Sequence, residues 1–227
     1  MAHLDVQAIH KGLARALYRG VSIQKFPIDY FMYQMIIHEV RPDLIIEIGT
    51  MHGGSALYLA DLLVLFGIEG AEVHTIDLID PFQRREYHAE QGDKLNPAEA
   101  TNYPEIVVSH PHVKTFSGGW EDYDLSNCAG FKRIMVIDDG SHVYSDVLAA
   151  AEKFKDLISS GSYLIIEDGN ALEVCDDKER REWMDGGPLR AIFEFLSKNK
   201  DFHIDFRWCD MFGVNSTFNT YGYLRRV

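Results

Sequence analysis

Short, continuously apolar runs constrain the fold of this 227-residue chain. The runs "LIIEI" (44–48), "IMVI" (134–137) and "YLII" (163–166) contain at most one polar residue each, and helical stretches separate them. Strands that are covered on both faces of a parallel sheet have this composition, whereas strands with one wet face alternate apolar and polar residues. The pattern therefore predicts a parallel sheet with helices packed on both faces.

The order of the predicted elements gives the fold class. Helices are predicted at residues 5–19, 28–40, 55–66, 143–158 and 188–199. Strands are predicted at residues 44–49, 72–79, 112–118, 134–139, 162–169, 202–209 and 220–227. A loop rather than a helix separates the last two strands, which favours an antiparallel hairpin at one edge. We therefore predict a doubly wound α/β fold: a mostly parallel, seven-stranded sheet with an antiparallel edge strand, over residues 41–227, after an N-terminal helical segment at residues 1–40.

The first predicted helix has two interpretations. Its apolar residues recur at helical spacing, and basic residues lie between them. A helix at a membrane surface has this pattern, but so does a helix packed on its own domain or on a second subunit. We favour packing, as a lid or an oligomer contact. The apolar positions are Val6, Ile9, Leu13 and Leu17.

The net charge of the chain limits the classes of partner that it can bind. The net charge is −13, which argues against nucleic acid or an anionic membrane as the main partner. A cation site remains compatible with this charge. No signal-peptide pattern and no apolar run of membrane-spanning length are present, and the three cysteines lack zinc-site spacing. The expected location is therefore the cytoplasm, with free thiols.

A glycine-rich loop, "EIGTMHGGS" (47–55), follows the first strand of the parallel sheet. Gly49, Gly53 and Gly54 let the backbone approach a ligand, and the next helix begins with free N–H groups. The loop is not GxGxxG and no Walker lysine follows, which disfavours nucleotide phosphates. The Glu47 carboxylate suits a cationic ligand group better than a pyrophosphate. A purely structural turn is the alternative.

The next strand ends in "TIDLID" (75–80). An acid at the position of Asp77 commonly accepts hydrogen bonds from ribose hydroxyls, although a helix cap or a solvated loop carboxylate is the alternative. A nucleoside with a positive centre and no phosphate fits both this acid and the glycine loop. These residues therefore point to S-adenosylmethionine.

Three carboxylates end two later strands: Asp139 ends one, and Glu167 and Asp168 end the next. The intervening segment has the length of a single crossover between parallel neighbours, so the three carboxylates should converge at one sheet edge. They would repel one another unless a cation lies between them, and Mg²⁺ is the usual choice for oxygen ligands. Neutralisation by lysine or arginine is the alternative, but no basic residue stands near either strand end in sequence.

His142 follows Asp139 by three residues, in "VIDDGSHVYSDV" (136–147). From this loop it can overlook a metal, and a neutral imidazole can take the proton of a hydroxyl whose pKa the metal lowers. A capping or packed histidine is the alternative. The role of Asp138 is open, since it can brace the loop or face the cofactor.

Three segments carry a resemblance to a known family. They are "KFPIDYFMYQMIIHEVRPDLIIEIGTMHGGSALYLADLL", "VIDDGSHVYSDV" and "GSYLIIEDG". Together they resemble the cephalosporin hydroxylase-like methyltransferases, which include rhamnosyl O-methyltransferases and the methyltransferase of cephamycin biosynthesis. The resemblance runs from about residue 18 to the C-terminus. The combination of D-D-G-S-H with E-D carries it, because a glycine loop alone is common.

The resemblance implies a Rossmann-like class I methyltransferase fold, S-adenosylmethionine and magnesium-dependent O-methylation. It implies Asp139, Glu167 and Asp168 as metal ligands and His142 as the general base. The cofactor-binding positions would be Glu47, Gly49, Thr50, Gly53, Gly54, Ser55, Asp77, Ser117 and Asp138. Members of the group are often oligomeric, with the N-terminal helices as candidate contacts.

The expected function is therefore transfer of a methyl group to a hydroxyl of a small-molecule natural product or sugar. The acceptor would be recognised by the N-terminal helices and by residues 80–104 and 170–188. A non-catalytic cofactor-binding or scaffold protein is an alternative. A nicotinamide-dependent oxidoreductase is a further alternative, which the missing GxGxxG disfavours. No iron, flavin or haem motif supports hydroxylation.

Overall fold

The computed structural model describes residues 6–80, 83 and 104–227. Residues 80–104, which are expected to help recognise the acceptor, fall mostly outside these ranges. No helix in the described ranges is both long enough and apolar enough to cross a membrane.

Nine α-helices and nine strands are found in the described part of the chain, besides two short 3₁₀ helices at Leu125–Cys128 and Lys155–Leu157. The helices are α1 (Val6–Leu13), α2 (Pro27–Val40), α3 (Gly54–Leu65), α4 (Pro104–Val108), α5 (Tyr144–Phe154), α6 (Ala171–Val174), α7 (Lys178–Met184), α8 (Gly187–Lys198) and α9 (Phe206–Cys209). The strands are β1 (Leu17–Tyr18), β2 (Val21–Ser22), β3 (Leu44–Ile48), β4 (Glu72–Asp77), β5 (Val113–Ser117), β6 (Ile134–Asp138), β7 (Tyr163–Ile166), β8 (Phe202–Ile204) and β9 (Tyr223–Arg226).

Seven strands form one sheet in the order β5-β4-β3-β6-β7-β9-β8, which confirms the predicted doubly wound fold. The five strands from β5 to β7 are parallel, and β9 is antiparallel to both of its neighbours. The antiparallel strand is thus one position in from the edge, and β8 is the edge strand. Strand order reverses between β3 and β6, where α/β sheets of this kind bind ligands beyond the strand ends.

Alternate residues of the central strands enter two separate cores. Ile45 packs with α2 and α3 on one face of the sheet. Leu44 and Ile46 pack with α5 and α8 on the other face. Because both faces are covered, the strands have no solvent-facing side, which explains their continuous apolar runs.

Two predicted elements are shorter than expected. The first helix ends at Leu13 and a β1–β2 hairpin follows, because Arg19 and Gly20 both have the positive φ that a two-residue hairpin turn requires. The predicted strand at 202–209 ends at Ile204. There Asp205 accepts a hydrogen bond from the Arg207 N–H and begins α9.

The N-terminal segment is built into the domain. On α2, Met32, Tyr33 and Ile36 are fully buried in the same core as the sheet. Farther toward the N-terminus, Leu13 joins a small apolar cluster with Val174 of α6 and with residues from two loops. The segment therefore packs beside the carboxyl ends of β6 and β7.

Candidate functional site

A cavity of about 620 Å³ opens at the switch point between β3 and β6. Five residues singled out from the sequence line it: Gly49, Asp77, Asp139, His142 and Asp168. Each follows or ends a parallel strand, so the topology itself brings them together.

Gly49 lines the cavity where the glycine loop approaches the backbone of Asp139. A Cβ atom there would stand 2.0 Å from the Asp139 carbonyl oxygen, and the φ of Gly49 is +99°. The other two glycines of the loop have packing reasons of their own. A Cβ on Gly53 would meet Val107 at 2.7 Å, and one on Gly54 would meet the Ser22 carbonyl oxygen at 2.3 Å. Neither of these two lines the cavity.

Asp77 fixes the glycine loop as well as facing the cavity. Its Oδ2 accepts a hydrogen bond of 2.7 Å from the Met51 N–H, and Met51 has a left-handed φ of 47°. Thr50 lies below, hydrogen-bonded to Thr75. Ser117 pairs in register with Asp77, but it is exposed and does not line the cavity.

Two buried carboxyl groups beneath the cavity keep one oxygen without a partner among the described residues. Glu47 accepts from Thr75 through Oε2, whereas its Oε1 is unpartnered. Burial raises the pKa of Glu47, and hydrogen bonds from Ser55 and Thr75 oppose this. Asp138 accepts from the Gly140 N–H through Oδ1, leaving Oδ2 unpartnered, and burial raises its pKa to about 7. Unpartnered buried acceptors of this kind suit a ligand that brings its own N–H or O–H donors.

The sequence did not predict the role of Lys25, which lies in the acidic cluster. Its Nζ donates to Asp139 Oδ2 at 2.7 Å and to Glu167 Oε1 at 2.5 Å. The Tyr33 hydroxyl donates to the same Glu167 oxygen at 2.6 Å. Burial lowers the pKa of Lys25, but the charges of Asp139 and Glu167 outweigh it and raise this pKa well above the usual value. Lys25 is therefore a buried ammonium ion.

Asp139 and Glu167 differ in their response to this ammonium. Burial favours the neutral form of Asp139, but Lys25 and His142 outweigh it and lower the pKa of Asp139 to about 2. Burial and the nearby Asp139 raise the pKa of Glu167 to about 8 despite Lys25. The alternative in which a lysine neutralises these strand ends is therefore realised by Lys25, although no basic residue stands near them in sequence.

His142 lies between two carboxylates that face the cavity. Its Nε2 donates to Asp139 Oδ1 at 3.1 Å, and its Nδ1 is 3.7 Å from Asp168 Oδ2. Burial opposes the charged form, yet the Asp139 hydrogen bond and the Asp168 charge raise the pKa of His142 to about 9. His142 and Asp168 both have left-handed φ values, 60° and 52°. Such backbone strain in non-glycine residues is typical of functional sites.

The residues able to hold a metal differ in part from the predicted set. Asp139, His142 and Asp168 each offer a ligand atom, and these atoms all lie within 4.8 Å of one another. Glu167 is absent from this group, and it does not line the cavity. Of the predicted trio, this group contains Asp139 and Asp168 but not Glu167, and the ligand set stays a prediction.

The far end of the cavity, beyond Asp168, has mostly apolar walls. Leu13 and Ala14 contribute from the N-terminal segment, and Arg180 of α7 is exposed at the rim. The sequence placed acceptor contacts in residues 170–188 without predicting α6 or α7, because both helices are short. The other apolar lining residues at this end are Ala171, Val174, Met184 and Phe218.

Comparison with known proteins gives a family. A model described as "Rhamnosyl O-methyltransferase/CmcI" matches residues 11–103 and 125–227. The rhamnosyl O-methyltransferase of Mycobacterium tuberculosis H37Rv is 31% identical over 160 residues, which are 69% of this chain and 58% of the relative. The corresponding Mycobacterium leprae protein is 29% identical over 155 residues, 66% of this chain and 59% of the relative. The matched region therefore spans little more than half of these relatives.

Solved structures with the same fold include a CmcI protein and an O-methyltransferase. A CmcI structure described with Mg and SAM has a TM-score of 0.59 and 23% identity, covering 94% of this chain and 77% of that one. The O-methyltransferase TomG from Streptomyces achromogenes, in complex with SAM, has a TM-score of 0.52 and 18% identity, covering 88% and 81%. The sheet is thus that of Rossmann-like class I methyltransferases, and the chain belongs to the rhamnosyl O-methyltransferase/CmcI family.

Proposed function

We propose that this protein is an S-adenosylmethionine-dependent O-methyltransferase that acts on a hydroxyl of a small-molecule natural product or sugar. One observation carries the proposal: a single cavity joins the Gly49–Asp77 end to the Asp139–His142–Asp168 end. The first end has the features of a nucleoside site, and the second has acid–base groups. Family membership supports this reading of the cavity.

The cofactor end fits S-adenosylmethionine in its donor and acceptor chemistry. Asp77 is placed to accept from ribose hydroxyls, as acids at this strand end commonly do. The buried acids Glu47 and Asp138 lie next to the glycine loop and would favour a cationic cofactor group by their charge when ionised, although neither lines the cavity. The absence of a phosphate-binding lysine in this loop agrees with a cofactor that has no phosphate.

The acid end fits a divalent cation. Asp139 and Asp168 would hold it through carboxylate oxygens, with His142 beside them. When bound, such a cation supplies Lewis acidity that lowers the pKa of an acceptor hydroxyl. Magnesium is the proposed ion because two of the three groups are hard oxygen ligands.

His142 is the proposed base. It faces the cavity and is oriented by its hydrogen bond to Asp139, so an acceptor hydroxyl near Asp168 would lie within its reach. Its pKa of about 9 depends on two ionised carboxylates. Neutralising either carboxylate lowers that pKa toward the range in which imidazole accepts a proton at neutral pH. The deprotonated oxygen would then attack the methyl group in line, so that the C–O bond forms as the S–CH₃ bond breaks and S-adenosylhomocysteine leaves.

The N-terminal segment would close the acceptor end. Leu13 and Ala14 form part of its wall, and the apolar surface around them suits an acceptor with an apolar portion beside the reacting hydroxyl. We also propose that the protein forms a homo-oligomer through its N-terminal helices and acts in the cytoplasm.

The test combines binding with turnover. Calorimetry with S-adenosylmethionine should detect binding, and a panel of rhamnosides and hydroxylated natural products should reveal an acceptor. Asp168→Asn and EDTA should each lower methyl transfer by about a thousandfold or more while cofactor affinity changes about threefold or less. Full activity in EDTA and in His142→Ala would disprove the mechanism. Cofactor binding without transfer to any acceptor would favour a scaffold protein, and binding of NADH instead would favour an oxidoreductase.

A further inference from the structure

Asp168 faces the cavity from an unusual backbone conformation. Its φ is 52°, in the left-handed region that residues other than glycine seldom occupy, although aspartate tolerates it better than most. Its side chain is 32% exposed and lines the cavity. A backbone conformation of this kind persists only where surrounding contacts hold it. The contacts of the Asp168 backbone therefore decide whether its carboxylate stays in the cavity.

The loop between α9 and β9 lies directly against the segment that follows Asp168. A Cβ atom on Gly169 would stand 2.1 Å from the Thr220 carbonyl oxygen, so the two backbones touch. The Asn170 N–H also donates to the Phe218 carbonyl at 3.3 Å. This loop is therefore in a position to control how the chain leaves β7.

Asn219 contacts the Asp168 backbone from this loop. It is fully buried, and its Oδ1 accepts from the Asp168 N–H at 3.3 Å. Its Nδ2 donates to the Tyr223 hydroxyl at 3.2 Å and to the Tyr33 hydroxyl at 3.4 Å. Its backbone N–H donates to Thr217 Oγ1 at 2.9 Å. The amide is thus held at both of its ends, which fixes the oxygen that meets Asp168.

The loop that carries Asn219 is itself anchored to α2. The buried Asp29 carboxylate accepts from Thr217 Oγ1 at 2.5 Å, from the Phe218 N–H at 3.2 Å and from the Tyr223 hydroxyl at 3.2 Å. Because these contacts come from the helix and not from β7, the loop does not depend on Asp168 for its own position. It can therefore act as a brace for that residue.

We propose that Asn219 is a positioning residue: it holds Asp168 in the left-handed conformation and so keeps the Asp168 carboxylate in the cavity, where a divalent cation would bind. This inference rests on the proposed function. Asn219 does not line the cavity, so its effect on a ligand passes through Asp168. Gly49 and Asp77 end other strands, so loss of the Asn219 amide should weaken cation binding and spare the cofactor end.

The test titrates MgCl₂ or MnCl₂ into the full chain by calorimetry, with S-adenosylhomocysteine as a second titrant. Asn219→Ala should weaken cation binding about tenfold or more and change the affinity for S-adenosylhomocysteine less than about threefold. Asn219→Asp keeps an oxygen for the Asp168 N–H, so it should retain at least about a third of the cation affinity.

Tyr223→Phe is the matched control within the same hydrogen-bond network. It removes a partner of Asn219 Nδ2 and a donor to Asp29, but it keeps the contact of Asn219 Oδ1 with Asp168. The melting temperature should fall by a few degrees, as for the loss of any buried hydrogen bond, while cation affinity changes less than about twofold.

A crystal structure of Asn219→Ala gives a readout that needs no cation. In that variant Asp168 should leave the left-handed region or withdraw its carboxylate from the cavity. Wild-type geometry of Asp168 there would overturn the inference, and so would cation affinity equal to that of the wild type or to that of Tyr223→Phe. The proposed function would stand in each of these cases.

Failure of the proposed function has a different signature. If the wild type binds neither cation, metal assistance is wrong, and the geometry of Asp168 in the crystal structure of Asn219→Ala alone decides the role of Asn219. If Asn219→Ala fails to fold, Asn219→Leu takes its place in every measurement, because leucine fills the same volume without offering an acceptor.

Discussion

The two halves of the cavity are held together in different ways. In the cofactor half, the Asp77 carboxylate at the end of β4 accepts from the Met51 N–H of the nearby glycine loop. At the ends of β6 and β7, side chains from remote segments meet. Lys25 is 114 residues from Asp139 and 142 residues from Glu167 along the chain.

The difference shows which groups neutralise or hydrogen-bond the carboxylates in each half of the cavity. In the cofactor half, Asp77 accepts from the backbone N–H of Met51 in the nearby loop, and Glu47 accepts from the Thr75 hydroxyl of the neighbouring strand. The acid half needs a whole side chain, and the N-terminal segment brings it. Mutations that affect both halves at once should therefore do most damage, and mutations within one half should separate their roles.

The largest effect is expected at Gly49, where the glycine loop of the cofactor half meets the Asp139 backbone of the acid half. Gly49→Ala would place a Cβ atom 2.0 Å from the Asp139 carbonyl oxygen, and backbone cannot yield as a flexible side chain can. We expect a loss of at least about 4 kcal/mol in the free energy of unfolding, measured by urea denaturation.

Gly130→Ala is the matched control for that substitution. Gly130 has a φ of +96°, close to the +99° of Gly49, but a Cβ atom at Gly130 would meet nothing within 4 Å beyond its chain neighbours. Its loss should be about 1–2 kcal/mol, from the left-handed backbone alone. Equal losses for the two variants would show that backbone strain, and not the close approach, governs Gly49.

A pH effect of intermediate size is expected at Asp29 on α2, an acid that has no basic partner among the described residues. Burial raises its pKa to about 7, against hydrogen bonds from Thr217, Phe218 and Tyr223. Because the folded-state pKa lies above the unfolded value, the stabilisation is complete below about pH 4 and is lost as the pH rises to about 7.

The variant Asp29→Asn tests whether Asp29 makes the free energy of unfolding fall as the pH rises. The wild-type free energy of unfolding should fall between pH 5 and 7, with Asp29 contributing up to about 1.4 kcal/mol per pH unit. Asp138, whose pKa burial also raises to about 7, contributes in the same direction. The slope should become shallower in Asp29→Asn, and an unchanged slope would rule out Asp29 as a source.

Most of the fold follows from local patterns. Continuous apolar runs located the central strands of the parallel sheet, because burial on both faces leaves no polar alternation. The hairpin after α1 depends on the backbone of Arg19 and Gly20, and the helical pattern around it concealed this turn. β9 lies between β7 and β8 rather than at the edge of the sheet. This position depends on pairing between strands that are distant in sequence, so no local sequence pattern predicts it.

The residues of the candidate site also fall into those that the sequence could predict and those that it could not. Strand-end residues such as Asp77, Asp139 and Asp168 were predictable, since parallel strands end at a common edge. Lys25 was not predictable, because its partners are more than a hundred residues away. Tyr33 was missed for the same reason. The glycine loop was predicted to approach a ligand, whereas Gly53 and Gly54 closely approach the protein itself.

A smaller effect is expected in the acid half from single hydroxyl groups on α2. Tyr33→Phe removes a donor to Glu167 and should cost about 1–3 kcal/mol in the free energy of unfolding, because a buried acceptor loses one of its two partners. Tyr30→Phe is the control, since the buried Tyr30 hydroxyl has no hydrogen-bond partner among the described residues. Its removal should be neutral or stabilising. A cost as large as that of Tyr33→Phe would mean that the lost packing of the hydroxyl oxygen, rather than its hydrogen bond, explains both.

The smallest effect is expected in the cofactor half. Asp77→Asn keeps the shape of the side chain and an oxygen for the Met51 N–H, but it replaces the second carboxylate oxygen with a donor. If Asp77 accepts from the ribose, the affinity for S-adenosylhomocysteine should fall about tenfold, which is about 1.4 kcal/mol. Ser117→Ala, at the paired position on β5 but exposed and outside the cavity lining, should change affinity less than about twofold. Calorimetry measures both. A larger loss for Ser117→Ala than for Asp77→Asn would move the nucleoside from β4 toward β5, and the comparison of the two halves would need a different cofactor position.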